Sequence, residues 1–206
     1  MKFALPVSLL CAFILLSTAL YSQEDSSEKR GSQVGIYIAS FGENPAIPFV
    51  PLAGSASYGG AGFYTLGATY ARPLSRRFDL ETGLAFSRHK IRVQPNLPPD
   101  MDDTPYETSL HLLTVPLLVK LNLGRFFFLN GGAMLNVDTG LSVPVDNQSG
   151  IGLMLGGGSE YEFNSGISLC LNPYMKAHSL VPFMPDMYQH HLMETGIQLG
   201  LAYRLR

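Results

Sequence analysis

Histidine and carboxylate side chains that could bind a metal ion or exchange a proton concentrate near the C-terminal end of the chain, at His178, Asp186, His190 and His191. Imidazole and carboxylate groups are common ligands of transition metals and common general acids and bases. His190 and His191 are adjacent, however, and adjacent residues of a strand point to opposite faces. No cysteine and no regular carboxylate spacing accompanies them. The sequence therefore predicts no metal site and no cofactor site.

Two serine–histidine neighbours could belong to a hydrolase, namely Ser109 with His111 and His178 with Ser179. Nucleophilic catalysis needs a serine, a histidine and an acid brought together, and no flanking motif marks either pair. The glycine run 156–158 is not a phosphate-binding loop, because no Lys-Ser/Thr follows it. Those glycines are predicted to let a strand bend or to make room for bulky neighbours. No catalytic residue is predicted.

The N-terminal residues have the layout of an export signal. Lys2 precedes an apolar run over residues 3–16, and the segment Ser-Thr-Ala-Leu-Tyr-Ser-Gln over residues 17–23 follows it. This pattern predicts a signal peptide over residues 1–22, cleaved before Gln23, and a flexible leader over residues 23–32. Cleavage would remove Cys11 and leave Cys170 alone, so no internal disulfide is expected. The net charge of -2, without a basic block, indicates that nucleic acid is not a partner.

Alternation of apolar and polar residues is clearest in the last segment of the chain. One face carries large apolar residues, with Thr195 as the exception: Met193, Ile197, Leu199, Leu201, Tyr203 and Leu205. The other face carries small or polar residues: Glu194, Gly196, Gln198, Gly200, Ala202 and Arg204. Period-two alternation indicates a β-strand. A strand with one apolar face and one small or polar face is typical of a position between lipid and a narrow polar interior.

The same alternation recurs in seven earlier segments: residues 34–40, 63–71, 78–87, 113–123, 127–137, 151–163 and 167–177. Their lengths are close to the roughly 9–11 residues that a tilted transmembrane strand needs. Pro116 and Pro173 lie within strands and lack a backbone N–H, so local bulges are expected there. Residues 33–206 are therefore predicted to contain eight strands.

The connections between these segments alternate between short and long. The short ones are residues 72–76, the stretch at Gly124, and residues 164–166, and the long ones are residues 41–60, 94–107, 140–150 and 178–189. Outer-membrane barrels have short periplasmic turns and longer extracellular loops. The chain is therefore predicted to form an eight-stranded antiparallel up-and-down transmembrane β-barrel with both termini in the periplasm. The acidic second loop, with Asp100, Asp102, Asp103 and Glu107, is expected to be solvated, or to bind cations or basic partners.

Seven charged residues fall on the polar faces and are predicted to line the interior: Glu81, Lys120, Lys176, Glu194, Glu160, Glu162 and Arg204. Glu81 and Lys120 are expected at similar depth on adjacent strands, and so are Lys176 and Glu194 nearer the outer side. Glu160, Glu162 and Arg204 are expected close to the periplasmic end. An eight-stranded barrel is just wide enough for side chains, and buried charges need partners. The pattern predicts a lumen plugged by ion pairs, with a proton or ion path as the alternative.

Three stretches of the chain resemble a known family of membrane proteins. Leu113-Thr-Val-Pro-Leu-Leu-Val-Lys120 continues into a glycine- and phenylalanine-rich hairpin over residues 123–132, and residues 156–163 and 196–203 add two further strands. These stretches resemble the PorT-like outer-membrane β-barrel family of Bacteroidetes-type bacteria. The resemblance implies a barrel fold and an outer-membrane location, with no defined activity for most members. The chain departs from many outer-membrane barrels in ending with Arg206 instead of an aromatic residue.

Together these observations predict a small non-porous outer-membrane β-barrel with a structural, adhesion or accessory role through its extracellular loops. Its expected partners are outer-membrane lipid, the barrel-insertion machinery and an extracellular or envelope protein. One alternative is a soluble periplasmic lipocalin-like barrel that carries a small apolar ligand, with the apolar faces turned inward. Another is an outer-membrane lipid-modifying enzyme.

Overall fold

A computed structural model of the chain describes residues 31–48, 57–96, 104–140, 147–184 and 190–205. The predicted signal peptide, residues 23–30 of the predicted leader, Asp186, Arg206 and the acidic residues Asp100, Asp102 and Asp103 lie outside these ranges. In the described part, no helix has the length and apolar character needed to cross a membrane.

Nine β-strands run through the described residues. They are β1 (Gln33–Ser40), β2 (Ala46–Pro48), β3 (Ser57–Pro73), β4 (Phe78–Gln94), β5 (Tyr106–Leu123), β6 (Phe127–Asp138), β7 (Gly150–Glu162), β8 (Ile167–Pro182) and β9 (His190–Arg204). Each of the eight predicted strands is present. The additional strand is β2, and several of the predicted strands, β3, β4 and β5 above all, extend further than their alternation indicated.

The strands form one antiparallel sheet whose pairing returns to its start. Strands β3 to β9 pair in sequence order, and β1 pairs with both β3 and β9. The short strand β2 also pairs with β9, at residues 190–192, beyond the residues 197–204 that pair with β1. Phe41, which lies between β1 and β2, has a positive φ of 61°. β1 and β2 therefore follow one another along the same edge of β9.

All short connections lie at one end of the sheet. The β3–β4, β5–β6 and β7–β8 turns share this end with Gln33 of β1 and with its partner Arg204 of β9. Gly124 and Gly166 in two of these turns adopt positive φ values of 74° and 82°, which a residue without a Cβ reaches at little cost. We call this the turn end and the opposite end, where the long connections lie, the loop end.

The two prolines within strands do not cause bulges, which corrects the prediction for Pro116 and Pro173. Pro116 lies opposite Met134, Pro173 lies opposite Ile197, and the register is the same on both sides of each proline. Each proline lacks the N–H that would donate a hydrogen bond to the neighbouring strand, but no extra residue is inserted, so no bulge forms. The register shifts lie instead between Gly60 and Gly62 and between Ile151 and Leu153.

The outer surface of the closed sheet is apolar and its interior is largely polar. Ile36, Leu66 and Leu155 point outward and are 62%, 59% and 61% exposed. The interior buries Asn136, Glu194 and many other polar side chains almost completely. This distribution is the reverse of the one in a water-soluble protein, in which apolar side chains concentrate inside.

Along the strands, the interior alternates between apolar and polar layers. A central apolar cluster comprises Tyr37, Ala39, Phe63, Ala85, Leu118, Met134, Met154 and Tyr174. A second apolar cluster near the loop end comprises Ala46, Ile91, Leu110, Leu112 and Leu192. His89 lies between these two layers along β4, and Glu194 follows Leu192 along β9. A polar layer is thus enclosed by apolar side chains.

Candidate functional site

The carboxylate of Glu194 is the centre of the polar layer and is fully buried. Its Oε1 atom accepts hydrogen bonds from Tyr174 Oη at 2.6 Å and from Lys176 Nζ at 2.8 Å. Its Oε2 atom lies 3.3 Å from His178 Nε2 and 3.3 Å from His89 Nε2. We call these five residues the Glu194 cluster. The carboxylate of Glu194, which has no exposed surface, therefore contacts the ammonium of Lys176, the hydroxyl of Tyr174 and two imidazoles.

Three strands hold the Glu194 cluster. Lys176 of β8 lies directly opposite Glu194 of β9, so the structure brings together the pair that the sequence placed at similar depth. His89 comes from β4, which is remote from β8 and β9 in the strand order. The ring of His89 stacks on Phe63 with centroids 5.6 Å apart and meets the ring of His178 edge-on at 5.6 Å. The cluster therefore connects strands that share no ladder.

Asn136 of β6 fixes the orientation of His178. The Nδ1 atom of His178 lies 3.2 Å from Asn136 Oδ1, and the hydroxyl of Thr114 donates to the same oxygen at 2.9 Å. An amide oxygen only accepts, so His178 Nδ1 carries the hydrogen in this contact. The opposite ring nitrogen, Nε2, is consequently aimed at Glu194.

His89 is buried without a hydrogen-bond partner. It has no exposed surface, and neither ring nitrogen makes a hydrogen bond within the part of the chain that the structure describes. The 3.3 Å contact to Glu194 lacks the angle that a hydrogen bond requires. A buried polar group left unpaired costs about 1–3 kcal/mol, so such a group calls for an explanation.

A second charged group lies nearer the turn end. Lys120 Nζ forms an ion pair with Glu160 of β7 and lies 4.6 Å from the centre of the Phe128 ring. The predicted pairing of Lys120 with Glu81 is therefore corrected. Glu81 lies opposite Leu118, and with Lys120 and Glu160 it lines an interior cavity of about 50 Å³. The side chain of Lys120 extends past β6 to the inward-facing Glu160 of β7. Glu160 therefore forms the ion pair that was expected of Glu81.

A third ion pair, which the sequence did not specify, lies at the rim of the turn end. Arg204 forms an ion pair with Glu162, and both side chains are about one-third exposed. With Arg125 and Tyr203 they border a recess of about 430 Å³ that is formed by the turns. The predicted placement of Glu160, Glu162 and Arg204 near this end agrees with the structure.

The histidines that the sequence grouped into one loop are separated. His178 lies within β8, which continues to Pro182, and its side chain faces the interior. The backbone of its neighbour Ser179 has a positive φ of 51°. His191 Nδ1 donates to the carbonyl of Ser179 at 2.8 Å, and His190 contacts Tyr58 edge-on. Asp186 lies outside the described residues. The described members of that grouping, His178, His190 and His191, do not come together as a metal or acid–base site.

Neither serine–histidine neighbour forms a catalytic pair in the described residues. The Ser109 hydroxyl accepts hydrogen bonds from Arg88, and the ring of His111 stacks on Phe86 on the outer surface. Ser179 Oγ donates to the carbonyl of Ser149 at 3.4 Å.

The glycine run 156–158 was predicted to make room for neighbouring side chains. Gly156 agrees with this prediction, because a Cβ at that position would lie 2.6 Å from Asn130 Oδ1. The neighbour for which that glycine makes room is polar.

Comparison with known proteins identifies the fold. No protein-family model matches the chain, and no curated protein sequence matches it. Its structure is similar to that of outer membrane protein OprG from Pseudomonas aeruginosa, with a TM-score of 0.53 and 13% identity, over 86% of this chain and 97% of that one. The fold is that of an outer-membrane β-barrel.

A second outer-membrane barrel supports the same conclusion. Outer membrane protein AlkL, whose structure was determined in DMPC lipid bilayers, matches with a TM-score of 0.52 and 9% identity, over 90% of this chain and 95% of that one. At these identities the likeness concerns the barrel fold alone. The PorT-like assignment stays a prediction.

Proposed function

We propose that this chain is a small non-porous barrel of the outer membrane that presents its loops at the cell surface, in a structural, adhesion or accessory role. The observation that carries the proposal is the distribution of side chains on the closed sheet. Outward side chains of the long strands are mostly large and apolar, with Arg88, Lys90 and Arg92 at the loop end of β4 as exceptions, whereas buried carboxylates, amides and ammonium groups face inward. Such a surface is stable against lipid acyl chains and would aggregate in water.

The strand pattern fits a membrane-spanning ring of eight positions. β1 and β2 pair with successive parts of β9, so we count them as one strand that is interrupted near Phe41. A closed ring leaves no unpaired edge, which is the condition for a β-sheet to cross a bilayer. The short connections favour the turn end as the periplasmic side, with both strand termini there, and the loop end as the extracellular side.

The interior supports a closed lumen. The central apolar layer and the loop-end apolar layer cross it on either side of the Glu194 cluster. The cavity beside Lys120 measures about 50 Å³, enough for a water molecule or two. The ion pairs therefore act as structural contacts between strands, and we do not favour an ion path.

Two alternatives receive less support. A carrier of an apolar ligand needs an enclosed apolar cavity of about 300–1,000 Å³. The recess of about 430 Å³ is instead open, lies at the turn end and is bordered by Arg125, Glu162 and Arg204. A lipid-modifying hydrolase needs a serine in contact with a histidine, and His178 instead contacts Asn136 and Glu194.

The proposal is tested by separating the membranes of cells that express the chain and by running the fractions on detergent gels with and without boiling. We expect the protein in outer membranes, with a mobility that changes on boiling because the closed sheet resists detergent when cold. The purified barrel should produce no conductance steps in a planar bilayer. Recovery in the soluble periplasmic fraction would contradict the membrane location, and stable conductance steps would contradict the closed lumen.

A further inference from the structure

We propose that His89, His178 and Glu194 form a binding site for a divalent transition-metal ion of the Zn²⁺ type inside the barrel. One ring nitrogen of His89, one of His178 and a carboxylate oxygen of Glu194 all lie within 4.8 Å of one another, and all three residues are buried. Two imidazoles and one carboxylate are a ligand set that binds Zn²⁺ in other proteins. This site goes beyond the structural, adhesion or accessory role proposed above.

The distances fit tetrahedral coordination. Zn²⁺ lies about 2.0–2.2 Å from nitrogen and oxygen ligands, which places two ligands of a tetrahedral ion about 3.3–3.5 Å apart. Glu194 Oε2 lies 3.3 Å from His89 Nε2 and 3.3 Å from His178 Nε2. An ion bonded to all three groups would bring the two imidazole nitrogens, which lie within 4.8 Å of each other, to the same tetrahedral distance, with the fourth position left to a water molecule.

Neighbouring groups orient two of the three ligands. His178 Nδ1 donates to Asn136 Oδ1, so an ion bound at Nε2 would take the place of the 3.3 Å contact between Nε2 and Glu194 Oε2. Metal-binding histidines generally donate their other ring hydrogen to such an acceptor. Tyr174 and Lys176 occupy Oε1 of Glu194, which leaves Oε2 for a metal.

The unpaired histidine supplies an independent observation. If hydrogen bonds alone held the cluster, both ring nitrogens of His89 would be completely buried without a partner among the described residues. Coordination of an ion by Nε2 removes the desolvation cost of that atom. It would also join β4 to β8 and β9 across the lumen, where no backbone hydrogen bonds connect them. Because apolar layers close both sides of the site, the ion would enter while the barrel folds.

The test uses the barrel without a histidine tag, refolded into detergent with ZnCl₂ and then freed of loose metal by gel filtration. We expect one tightly held Zn²⁺ per chain by elemental analysis. His89→Gln, His178→Gln and Glu194→Gln should each lower the retained zinc at least tenfold, in line with the loss of a ligand. His111→Gln is the matched control, because His111 stacks on Phe86 on the outer surface. It should retain zinc like the wild type.

Refolding with Co²⁺ in place of Zn²⁺ gives a readout that does not depend on the variants. The wild type should then show the intense visible absorption bands of tetrahedral Co²⁺. Absence of retained zinc and of these bands in the wild type would overturn the site and leave a hydrogen-bonded cluster only. Equal zinc retention by His89→Gln and wild type would overturn it as well. The boiling-dependent mobility of each variant shows that it is folded, so failure of the site and failure of the barrel are distinguishable.

Discussion

Lys176 Nζ and Glu194 Oε1 lie 2.8 Å apart on directly opposed positions of β8 and β9, and both side chains are almost completely buried. An ion pair in this environment is stable only because each charge has its partner and further hydrogen bonds. The hydroxyl of Tyr174 supplies one of these at 2.6 Å. Loss of either partner would leave an isolated charge between two apolar layers.

Replacement of Lys176 by Ala should therefore destabilise the barrel strongly. We expect the free energy of unfolding in detergent, measured by urea titration, to fall by about 3–5 kcal/mol, because Glu194 is left as an uncompensated buried charge. Arg204→Ala is the matched control, since its pair with Glu162 is partly exposed, and it should cost at most about 1 kcal/mol. Equal losses for the two variants would show that the interior pair is not isolated from water.

A double-mutant cycle distinguishes the two carboxylates near Lys120. We expect a coupling free energy of about 1–3 kcal/mol between Lys120→Ala and Glu160→Ala, because their side chains form the ion pair. The coupling between Lys120→Ala and Glu81→Ala should be smaller, because these residues share only the adjacent cavity. A larger coupling to Glu81 would restore the pairing that the sequence suggested.

The missing side chain of Gly196 makes room for the aromatic residues beside the Glu194 cluster. A Cβ at this position would lie 2.8 Å from Phe63 Cζ and 2.9 Å from Tyr174 Oη. Gly196→Ala should reduce the free energy of unfolding by about 1–3 kcal/mol through overpacking. Gly59→Ala, where a Cβ would meet nothing within 4 Å, should change it by less than about 0.5 kcal/mol. Similar values in both variants would mean that the interior relaxes freely.

Much of the fold could be predicted from the sequence because one local rule governs every strand. Residues that alternate between lipid and a narrow interior must alternate in polarity, and the segments at 113–123 and 167–177 obey this without exception on the apolar side. Opposed positions such as Lys176 and Glu194 follow from counting residues away from the short turns. β2 was missed because three residues are too few to show a period.

His89 escaped prediction for a physical reason. The outward face of β4 changes beyond Phe86 from apolar residues to Arg88, Lys90 and Arg92, so the alternation of polarity ends although the strand continues to Gln94. Every second residue of β4 faces inward, and following this alternation from Ala85 through Ser87 would have predicted that His89 also faces the interior. The Lys120–Glu160 pair was missed because it crosses the interior between strands that do not share a ladder, and sequence register relates only neighbouring strands.

Substitutions on the outer surface should depend on depth. Leu155 and Val181 are each 61% exposed, but Leu155 lies in the middle of β7 and Val181 near the loop end of β8. In lipid vesicles, Leu155→Arg should cost about 2–4 kcal/mol and Val181→Arg about 0–1 kcal/mol, because a charge near the midplane is costly and one near the interface is not. Urea titration of the two variants measures the difference, and equal costs would indicate that the surface does not face a bilayer.

The most direct test of the lipid-facing surface is the collision rate of nitroxide labels on β7 in lipid vesicles, measured by electron paramagnetic resonance. Labels are attached to single cysteines at Leu153, Met154 or Leu155, with Cys11 and Cys170 replaced by Ser. We expect labels at Leu153 and Leu155 to collide often with oxygen and rarely with a water-soluble nickel complex, and a label at Met154 to collide rarely with either. Frequent collisions of the Leu153 and Leu155 labels with the nickel complex would contradict a lipid-facing surface, because those residues would then face water.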